Sequence, residues 1–198
     1  MARHKDVLEE ISNVGLRSKR PLNTVSLASG YGGLELGCRT LLHTRTILYV
    51  EVELTVSSIL VNLMEQGLLD KAPIWSDIRS IPYELLGNGL VQVDLLTAGF
   101  PCQPFSLAGN RRGADDERNL WPEVARFIER IRPTVVLLEN VPGILPYYYD
   151  TIRPRLSEMA YTVAEGLFSA EEVGAPHRRE RLFILAYTEH DGRTATEV

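Results

Sequence analysis

The sequence predicts an α/β protein with an open, mostly parallel sheet and helices on both faces. Short apolar runs, bounded by glycine, proline or acidic residues, alternate along the chain with stretches of helical periodicity. A glycine-rich turn joins the first run to the first helical stretch. Strands that alternate with helices pair in parallel through right-handed crossovers. Because no repeat or linker divides the 198 residues, we expect one domain with a substantial core.

The predicted elements follow one another in a regular order. Residues 1–22 form an N-terminal segment, in which the spacing of Val7, Leu8, Ile11 and Val14 indicates a short amphipathic helix. A loosely attached terminus is the alternative. Strands are predicted over residues 24–28, 46–50, 73–75, 93–98, 134–138, 161–168 and 182–187. Helices are predicted over residues 34–42, 54–66, 121–131 and 149–159. In the first of these helices the residues expected to face the sheet are Leu34, Cys38, Leu41 and Leu42.

Composition narrows the classes of function. A net charge of −5, from 21 basic and 26 acidic residues, argues against a general electrostatic attraction to nucleic acid, so any contact with DNA is expected to be local. Two cysteines form no disulfide framework, and no zinc motif is present, so we expect free thiols and no metal. Neither a membrane-spanning run nor a secretory signal is recognisable. We therefore expect a cytoplasmic, intracellular protein.

The most informative stretch is residues 99–106, which follow the apolar run over residues 93–98. Pro101 and Pro104 flank Cys102 and restrict the loop that carries it. A thiol at the carboxyl end of a buried strand lies where open α/β sheets hold their ligands. Free cysteine is usually a small buried hydrophobe, and Cys38 fits that description. The loop-forming neighbours of Cys102 favour a nucleophile instead.

Glycines and acids at successive strand ends predict a nucleoside site. Residues 30–33, Gly-Tyr-Gly-Gly, join a strand to a helix, where small residues let a ligand approach the backbone. Glu51 ends the next strand about 20 residues further on, where a carboxylate binds ribose hydroxyls. Asp77 ends the third strand and is a candidate contact for an adenine amino group. A nicotinamide cofactor is less favoured, because the turn is not G-x-G-x-x-G.

Two further polar groups lie near later strand ends. Glu139 follows the apolar residues 135–138, and a carboxyl there can share a proton with a ring nitrogen. A capping or surface glutamate is the alternative. Arg179 and Arg181 alternate in the basic run of residues 177–181, so both can face one ligand and bind phosphate or a base carbonyl. A solvated basic surface is the alternative.

Taken together, these motifs resemble the cytosine-5 DNA methyltransferases that use S-adenosylmethionine. The resemblance extends from about Thr24 to Tyr187 and depends on the order of its parts. These are the glycine turn, Glu51, Pro101-Cys102-Gln103, Glu139-Asn140-Val141 and Arg179-x-Arg181. It implies a Rossmann-like methyltransferase fold. It also implies transfer of a methyl group from S-adenosylmethionine to carbon 5 of a cytosine flipped out of double-stranded DNA.

The resemblance implies a role for each site residue. Cys102 adds to carbon 6 of the cytosine as a nucleophile. Glu139 holds the N3 and amino edge, Arg181 contacts the base carbonyl, and Arg179 contacts the DNA backbone or a loop. The cofactor-binding residues that it implies are Ala28, Gly30, Gly32, Gly33, Glu51, Val52, Asp77, Ile78, Gly99, Pro101 and Leu120. Ala28 and Val52 stand where the family often has an aromatic residue, so we expect weaker contact with adenine.

The family continues, after the position of Leu185, into a target-recognition region and two further segments. Residues 188–198 resemble none of these, so the catalytic domain over residues 23–198 is expected to be truncated. Two hypotheses follow. The chain is either an enzyme to which a second polypeptide supplies target recognition, or an inactive remnant that keeps the fold as a cofactor- or DNA-binding module.

Overall fold

A computed structural model describes residues 20–87, 91–101 and 119–188 of the protein. Its strands are β1 (Leu22–Leu27), β2 (Thr44–Val50), β3 (Ile74–Trp75), β4 (Leu95–Ala98), β5 (Val135–Asn140), β6 (Thr162–Ser169) and β7 (Glu180–Tyr187). Its helices are α1 (Gly33–Leu41), α2 (Leu54–Glu65), α3 (Glu84–Gly87), α4 (Trp121–Ile131), α5 (Leu145–Tyr147) and α6 (Arg153–Glu158). A π-helical turn, Tyr148–Ile152, joins α5 to α6. The predicted helix over residues 4–14 lies outside the described residues.

The seven strands form one sheet in the order β3-β2-β1-β4-β5-β7-β6. The first five strands pair in parallel, whereas β7 is antiparallel to both β5 and β6. Residues 170–179 connect β6 to β7, and this connection is shorter than the dozen or more residues that a parallel crossover needs. The predicted open, mostly parallel α/β sheet is therefore confirmed.

The two faces of the sheet bury different sets of side chains. On one face α4 and the π-helical turn pack Phe127 and Tyr148 into a large core with Leu96 and Val136. On the other face α2 packs against Tyr49 of β2, and Cys38 of α1 packs against the strands at the centre of the sheet. Helices on both faces were predicted, and the structure has them.

Pairing with β7 extends β5 beyond the predicted end of that strand. The apolar run predicts a strand over residues 134–138, but β5 continues to Asn140 because Glu139 lies opposite Phe183 and Asn140 lies opposite Leu182. Glu139 is therefore held within a paired strand, where backbone hydrogen bonds fix the direction of its side chain.

Candidate active site at the carboxyl ends of the central strands

The order of the strands creates a crevice between the carboxyl ends of β1 and β4, because the sheet is built outward in both directions from this pair. Ala28 follows β1 directly, and Gly99 follows β4 directly. A Cβ atom placed on Gly99 would lie 3.9 Å from the carbonyl oxygen of Ala28 and 3.5 Å from Oε2 of Glu139. The ends of three strands therefore converge on Gly99, as the sequence analysis expects.

A cavity of about 1170 Å³ opens at this crevice and continues along one face of the sheet. Six of the predicted site residues line it: Ala28, Gly30, Gly33, Gly99, Glu139 and Arg179. Side chains that the sequence analysis did not assign to the site line it as well, among them Ser26, Glu35 and Phe183. The cavity therefore connects the glycine turn with the ends of β5 and β7.

The glycine turn has two glycines with different roles. Both adopt left-handed backbone conformations, with φ of +54° at Gly30 and +74° at Gly32, which glycine adopts without strain. A Cβ atom on Gly30 would meet nothing within 4 Å, whereas one on Gly32 would lie 2.7 Å from Cδ1 of Leu69. Gly30 leaves space for a ligand, and Gly32 lets the turn pack against the protein.

Glu51 fixes this turn to the end of β2. Its Oε2 accepts the backbone N–H of Gly30 at 2.8 Å, and its Oε1 accepts the backbone N–H of Glu53 at 2.9 Å. Each carboxylate oxygen has a second lone pair, so Glu51 can still accept a hydrogen bond from a ribose hydroxyl. The open backbone at Gly30 and this carboxylate together fit a nucleoside cofactor.

The residues predicted to contact adenine lie at the ends of β2 and β3. Asp77 caps a short 3-10 helix, Ile78–Ser80, through a hydrogen bond of 2.9 Å from the backbone N–H of Arg79 to Oδ1. The side chain of Ile78 is buried in the large core, so it is the backbone of this residue that remains for a ligand. Val52 is 69% exposed. Contact of these residues with adenine remains a prediction.

Three predicted residues lie between β4 and α4 in the chain. Pro101 is exposed, and Leu120 precedes α4 and packs against the large core. Cys102 lies outside the described residues, so its role as nucleophile remains a prediction. The structure does describe Phe100, two residues before it, which is buried.

Asn140 holds the segment that leads to Cys102. Its Nδ2 donates to the carbonyl oxygen of Phe100 at 3.0 Å, and its Oδ1 accepts the backbone N–H of Val141 at 2.9 Å. The side chain is 3% exposed. Sequence reasoning gave Asn140 no role, although a buried amide beside an acid at the end of an apolar run is a signal that could have found it.

Glu139 and Arg181 form an ion pair across β5 and β7. Nε of Arg181 lies 2.6 Å from Oε1 of Glu139, and the two side chains are 21% and 25% exposed. The contact is diagonal, because Glu139 lies opposite Phe183, two residues beyond Arg181 on the same strand face. Arg179 is the last residue of the connection between β6 and β7, and it lines the cavity. The structure thus brings together the acid and the arginine that the sequence analysis assigned to the base.

A buried acid on α1 escaped the sequence analysis. Glu35 is 2% exposed and lines the cavity. Its Oε1 accepts a hydrogen bond from the hydroxyl of Thr97, whereas its Oε2 has no hydrogen-bond partner. Burial raises the pKa of the Glu35 carboxyl, and the hydrogen bond from Thr97 partly offsets this. Burial and the nearby Glu35 also raise the pKa of Cys38 to about 12, so this thiol is a poor nucleophile.

Within residues 20–87, 91–101 and 119–188, no three His, Cys, Asp or Glu side chains are grouped as a metal site would require. None of the helices in the same ranges has the length and apolar character needed to cross a membrane.

Comparison with known proteins places these features in a family. A family model described as C-5 cytosine-specific DNA methylase matches residues 22–197. The type II methyltransferase M1.ScrFI of Lactococcus lactis subsp. cremoris is 32% identical over 184 residues, which cover 90% of this chain and 44% of that protein. The type II methyltransferase M.NgoMIV of Neisseria gonorrhoeae is 30% identical over 167 residues, with 82% and 51% covered. The chain thus spans about half the length of these relatives.

A solved structure supports the same fold. The crystal structure of the S. pombe Dnmt2 methyltransferase superposes with a TM-score of 0.67 at 22% identity, covering 87% of this chain and 52% of that one. The predicted Rossmann-like methyltransferase fold is therefore confirmed. With nearly all of its predicted domain matched by the family model, the chain belongs to the C-5 cytosine-specific DNA methylase family.

Proposed function

We propose that this chain is the cofactor-binding and cytosine-holding part of a DNA (cytosine-5-)-methyltransferase. The observation that carries the proposal is the ion pair between Glu139 and Arg181 at the open end of the crevice. The pair lies beside Gly99, three residues before Cys102 in the chain. An acid and a guanidinium held together match the donors and acceptors on one edge of cytosine.

The chemistry of cytosine explains why these groups are needed. Carbon 5 is too weak a nucleophile to take a methyl group unaided. In the proposed reaction the thiolate of Cys102 forms a bond to carbon 6 of the cytosine. This addition moves the electrons of the ring double bond toward carbon 5. Glu139 meanwhile holds N3 and the exocyclic amino group. Carbon 5 then bonds to the methyl group, whose bond to the sulfonium sulfur of the donor breaks and leaves that sulfur as a neutral thioether. Water accepts the proton from carbon 5, and cleavage of the bond between carbon 6 and the Cys102 sulfur regenerates the aromatic ring and the thiolate.

S-adenosylmethionine, when bound, supplies the methyl group as an electrophile. We propose that the chain binds it through the open backbone of Gly30 and Gly33 and through the carboxylate of Glu51. The adenine then lies near Val52, Asp77 and the backbone of Ile78, as the positions of these strand ends support. The remaining proposed pocket residues are Ala28, Gly32, Gly99, Pro101 and Leu120.

The proposed substrate is a cytosine flipped out of double-stranded DNA, because its reacting atoms are inaccessible in a stacked duplex. Arg181 contacts the base carbonyl, and Arg179 contacts the DNA backbone. A net charge of −5 gives this chain little general attraction for DNA. This supports the proposal that a second polypeptide supplies target recognition.

Two measurements test the proposal. Calorimetry is expected to detect binding of S-adenosylmethionine but not of NAD. A DNA duplex containing 5-fluorocytosine, incubated with the cofactor, is expected to trap a covalent adduct, because fluorine at carbon 5 blocks release. The trapping is done with the chain alone and with an extract of the source organism. The adduct is expected to disappear in Cys102→Ala.

The outcomes separate the two hypotheses from the sequence analysis. An adduct in either condition supports an enzyme, and dependence on the extract supports a second polypeptide. Binding of the cofactor without an adduct in either condition contradicts the enzyme and indicates a cofactor-binding module. Absence of both overturns the whole proposal.

A further inference from the structure

Arg181 is well covered for an arginine near the edge of a sheet. Its side chain is 21% exposed, although only the edge strand β6 lies beyond β7 on that side. The side chain of Arg178, three residues earlier, is 87% exposed, and it too forms an ion pair, with Glu171. An ion pair by itself therefore does not explain why Arg181 is covered. The cover comes from other side chains on the same face of the sheet.

The pairing of the strands identifies these neighbours. Phe168 of β6 lies directly opposite Arg181, and Phe183 of β7 lies directly opposite Glu139. Directly opposite side chains in an antiparallel pair share a face, with Cβ atoms about 4.5–5.5 Å apart. Phe183 also follows Arg181 by two residues in the same strand, so it shares the face of that side chain as well. Each member of the ion pair thus has a phenylalanine beside it.

The rings of Phe168 and Phe183 also contact each other. Their centroids are 5.8 Å apart and their planes meet at 67°, an edge-on arrangement that aromatic rings favour. Gly166, which lies opposite Phe183, makes room for this contact. A Cβ atom on Gly166 would lie 2.4 Å from Cε2 of Phe168. The ring of Phe168 therefore lies over Gly166, and we call the two phenylalanines the aromatic pair.

We propose that the aromatic pair positions the guanidinium of Arg181 for the base. This inference rests on the proposed function, in which Arg181 contacts the base carbonyl. The rings restrain the side chain on the side of β6, while Nε faces Glu139 and Nη1 donates to the carbonyl oxygen of Glu180. Within the described part of the chain Nη2 makes no hydrogen bond. Its two N–H groups therefore remain for a ligand.

The restraint matters because arginine is a long side chain with many rotamers. Ordering it costs conformational entropy, and a guanidinium that is ordered before the base arrives has already lost that freedom. Phe183 also lines the cavity, so its ring excludes water from one side of the ion pair. A hydrogen bond is stronger where water is excluded. The rings reach the base only through Arg181 and Glu139, so they are positioning residues.

Nuclear magnetic resonance of the arginine Nε–H groups tests the restraint without DNA. The Nε–H of Arg181 is expected to exchange slowly with water in the parent chain, and Arg181→Lys assigns its signal by removing it. Phe183→Leu keeps an apolar side chain but removes the ring, and it is expected to speed this exchange about tenfold through local opening. Phe183→Tyr keeps the ring and is expected to stay within about twofold of the parent.

A second variant disturbs the aromatic pair without removing a ring. The methyl group of Gly166→Ala displaces the ring of Phe168, so the Nε–H of Arg181 is expected to exchange faster here as well. Tyr149→Leu is the matched control, because Tyr149 belongs to a different ring pair, with Tyr148, in the π-helical turn. That turn packs on the opposite face of the sheet. The control is expected to leave the exchange at Arg181 unchanged.

Trapping on 5-fluorocytosine DNA adds the functional measurement, under the condition in which the parent forms the adduct. Per folded molecule, Phe183→Leu is expected to form the adduct about tenfold more slowly, because a misplaced contact to the base is costly. Phe183→Tyr is expected to recover the parental rate. Parental exchange at Arg181 in both Phe183→Leu and Gly166→Ala overturns the proposal, and so does faster exchange with parental trapping. Absence of an adduct in the parent contradicts the proposed function instead, and the exchange rates then decide whether the rings restrain Arg181.

Discussion

Nε of Arg181 lies 2.6 Å from Oε1 of Glu139, across two antiparallel strands of the central sheet. A second nitrogen of the same guanidinium, Nη1, donates to the carbonyl oxygen of Glu180 at 2.8 Å. Because both side chains start from paired strands, their orientation is set by the fold and does not wait for a ligand. Even a fully exposed ion pair contributes only about 0–1 kcal/mol to stability, and desolvation of these half-buried side chains offsets part of the attraction. The pair is therefore better explained by orientation than by stability.

The first prediction concerns the acid of this pair. Glu139→Gln is expected to lower the rate of methyl transfer by about 10²–10⁴-fold, because the amide can no longer share a proton with the base. The Kd for S-adenosylmethionine is expected to change less than about threefold, since the proposed cofactor contacts do not involve Glu139. Single-turnover transfer to DNA and calorimetry measure the two quantities, with the second polypeptide present if the trapping experiment shows that it is needed.

Glu165→Gln is a matched control, because it removes the acid of another ion pair in which the nitrogen–oxygen distance is similar. Glu165 lies 2.7 Å from Arg153 and also accepts a hydrogen bond from the Tyr148 hydroxyl. This variant is expected to lower the free energy of unfolding but to leave transfer by the folded protein unchanged. A parental rate in Glu139→Gln would show that Glu139 does not act on the base.

The second prediction separates the two left-handed glycines of the turn. Gly32→Ala is expected to destabilise the fold more than Gly30→Ala, because only its Cβ would lie 2.7 Å from a side-chain atom of Leu69. The left-handed conformation alone costs alanine about 1–2 kcal/mol at either position. Gly30→Ala is expected to weaken cofactor binding more, because its Cβ would project into open space beside the crevice. Urea unfolding and calorimetry rank the two variants, and the same order in both assays would contradict these roles.

The third prediction uses the buried carboxyl of Glu35. Burial raises its pKa in the folded state, so the folded protein retains this proton at a pH where the unfolded chain releases it. The stability that this group contributes is greatest below its ordinary pKa and is lost as the pH rises through the raised value. Glu35→Gln cannot titrate. The free energy of unfolding of the variant, relative to the parent, is therefore expected to increase as the pH rises above the ordinary pKa of a glutamate carboxyl.

Denaturant unfolding at several pH values measures this difference. Glu53→Gln is the control, because it makes the same substitution at an exposed side chain. If Glu35→Gln runs parallel to this control, the Glu35 carboxyl is not held protonated by burial.

The alternation of apolar runs and helical periodicity was sufficient to predict the sheet and the residues that follow its strands. It located Ala28, Gly99 and Glu139, which converge as expected, since parallel strands carry their carboxyl ends to one edge. It could not predict that β5 continues through Asn140, because that extension depends on pairing with β7, some forty residues away.

Other features depend on tertiary packing that no local pattern contains. Gly30 and Gly32 look alike in the sequence, and only the position of Leu69 distinguishes them. Glu35 stands between two leucines in an amphipathic helix, where an acid ordinarily faces solvent. Its burial results from the approach of Thr97 on β4, which lies far away in the chain.

The last prediction concerns Asn140 as a positioning residue. Its Nδ2 holds the carbonyl oxygen of Phe100, and the chain reaches Cys102 two residues later. Asn140→Asp keeps an acceptor for the N–H of Val141 but loses the donor to Phe100 and places a carboxyl against its carbonyl. We expect adduct formation on 5-fluorocytosine DNA to fall about 10–100-fold, because small displacements of a nucleophile are costly. The free energy of unfolding is expected to fall by about 1–3 kcal/mol.

A merely structural role for Asn140 would lower the folded fraction without changing the chemistry of the folded protein. Two measurements on folded protein distinguish the roles: the rate of Cys102 alkylation, followed by mass spectrometry, and the Kd for S-adenosylmethionine. A displaced loop changes the alkylation rate and leaves the Kd within about threefold, since Asn140 makes none of the proposed cofactor contacts. Cys38, with its pKa raised to about 12, reacts slowly in parent and variant alike and is an internal reference. Unchanged alkylation together with parental adduct formation would contradict the positioning role, because the donor to Phe100 would then have no influence on the nucleophile.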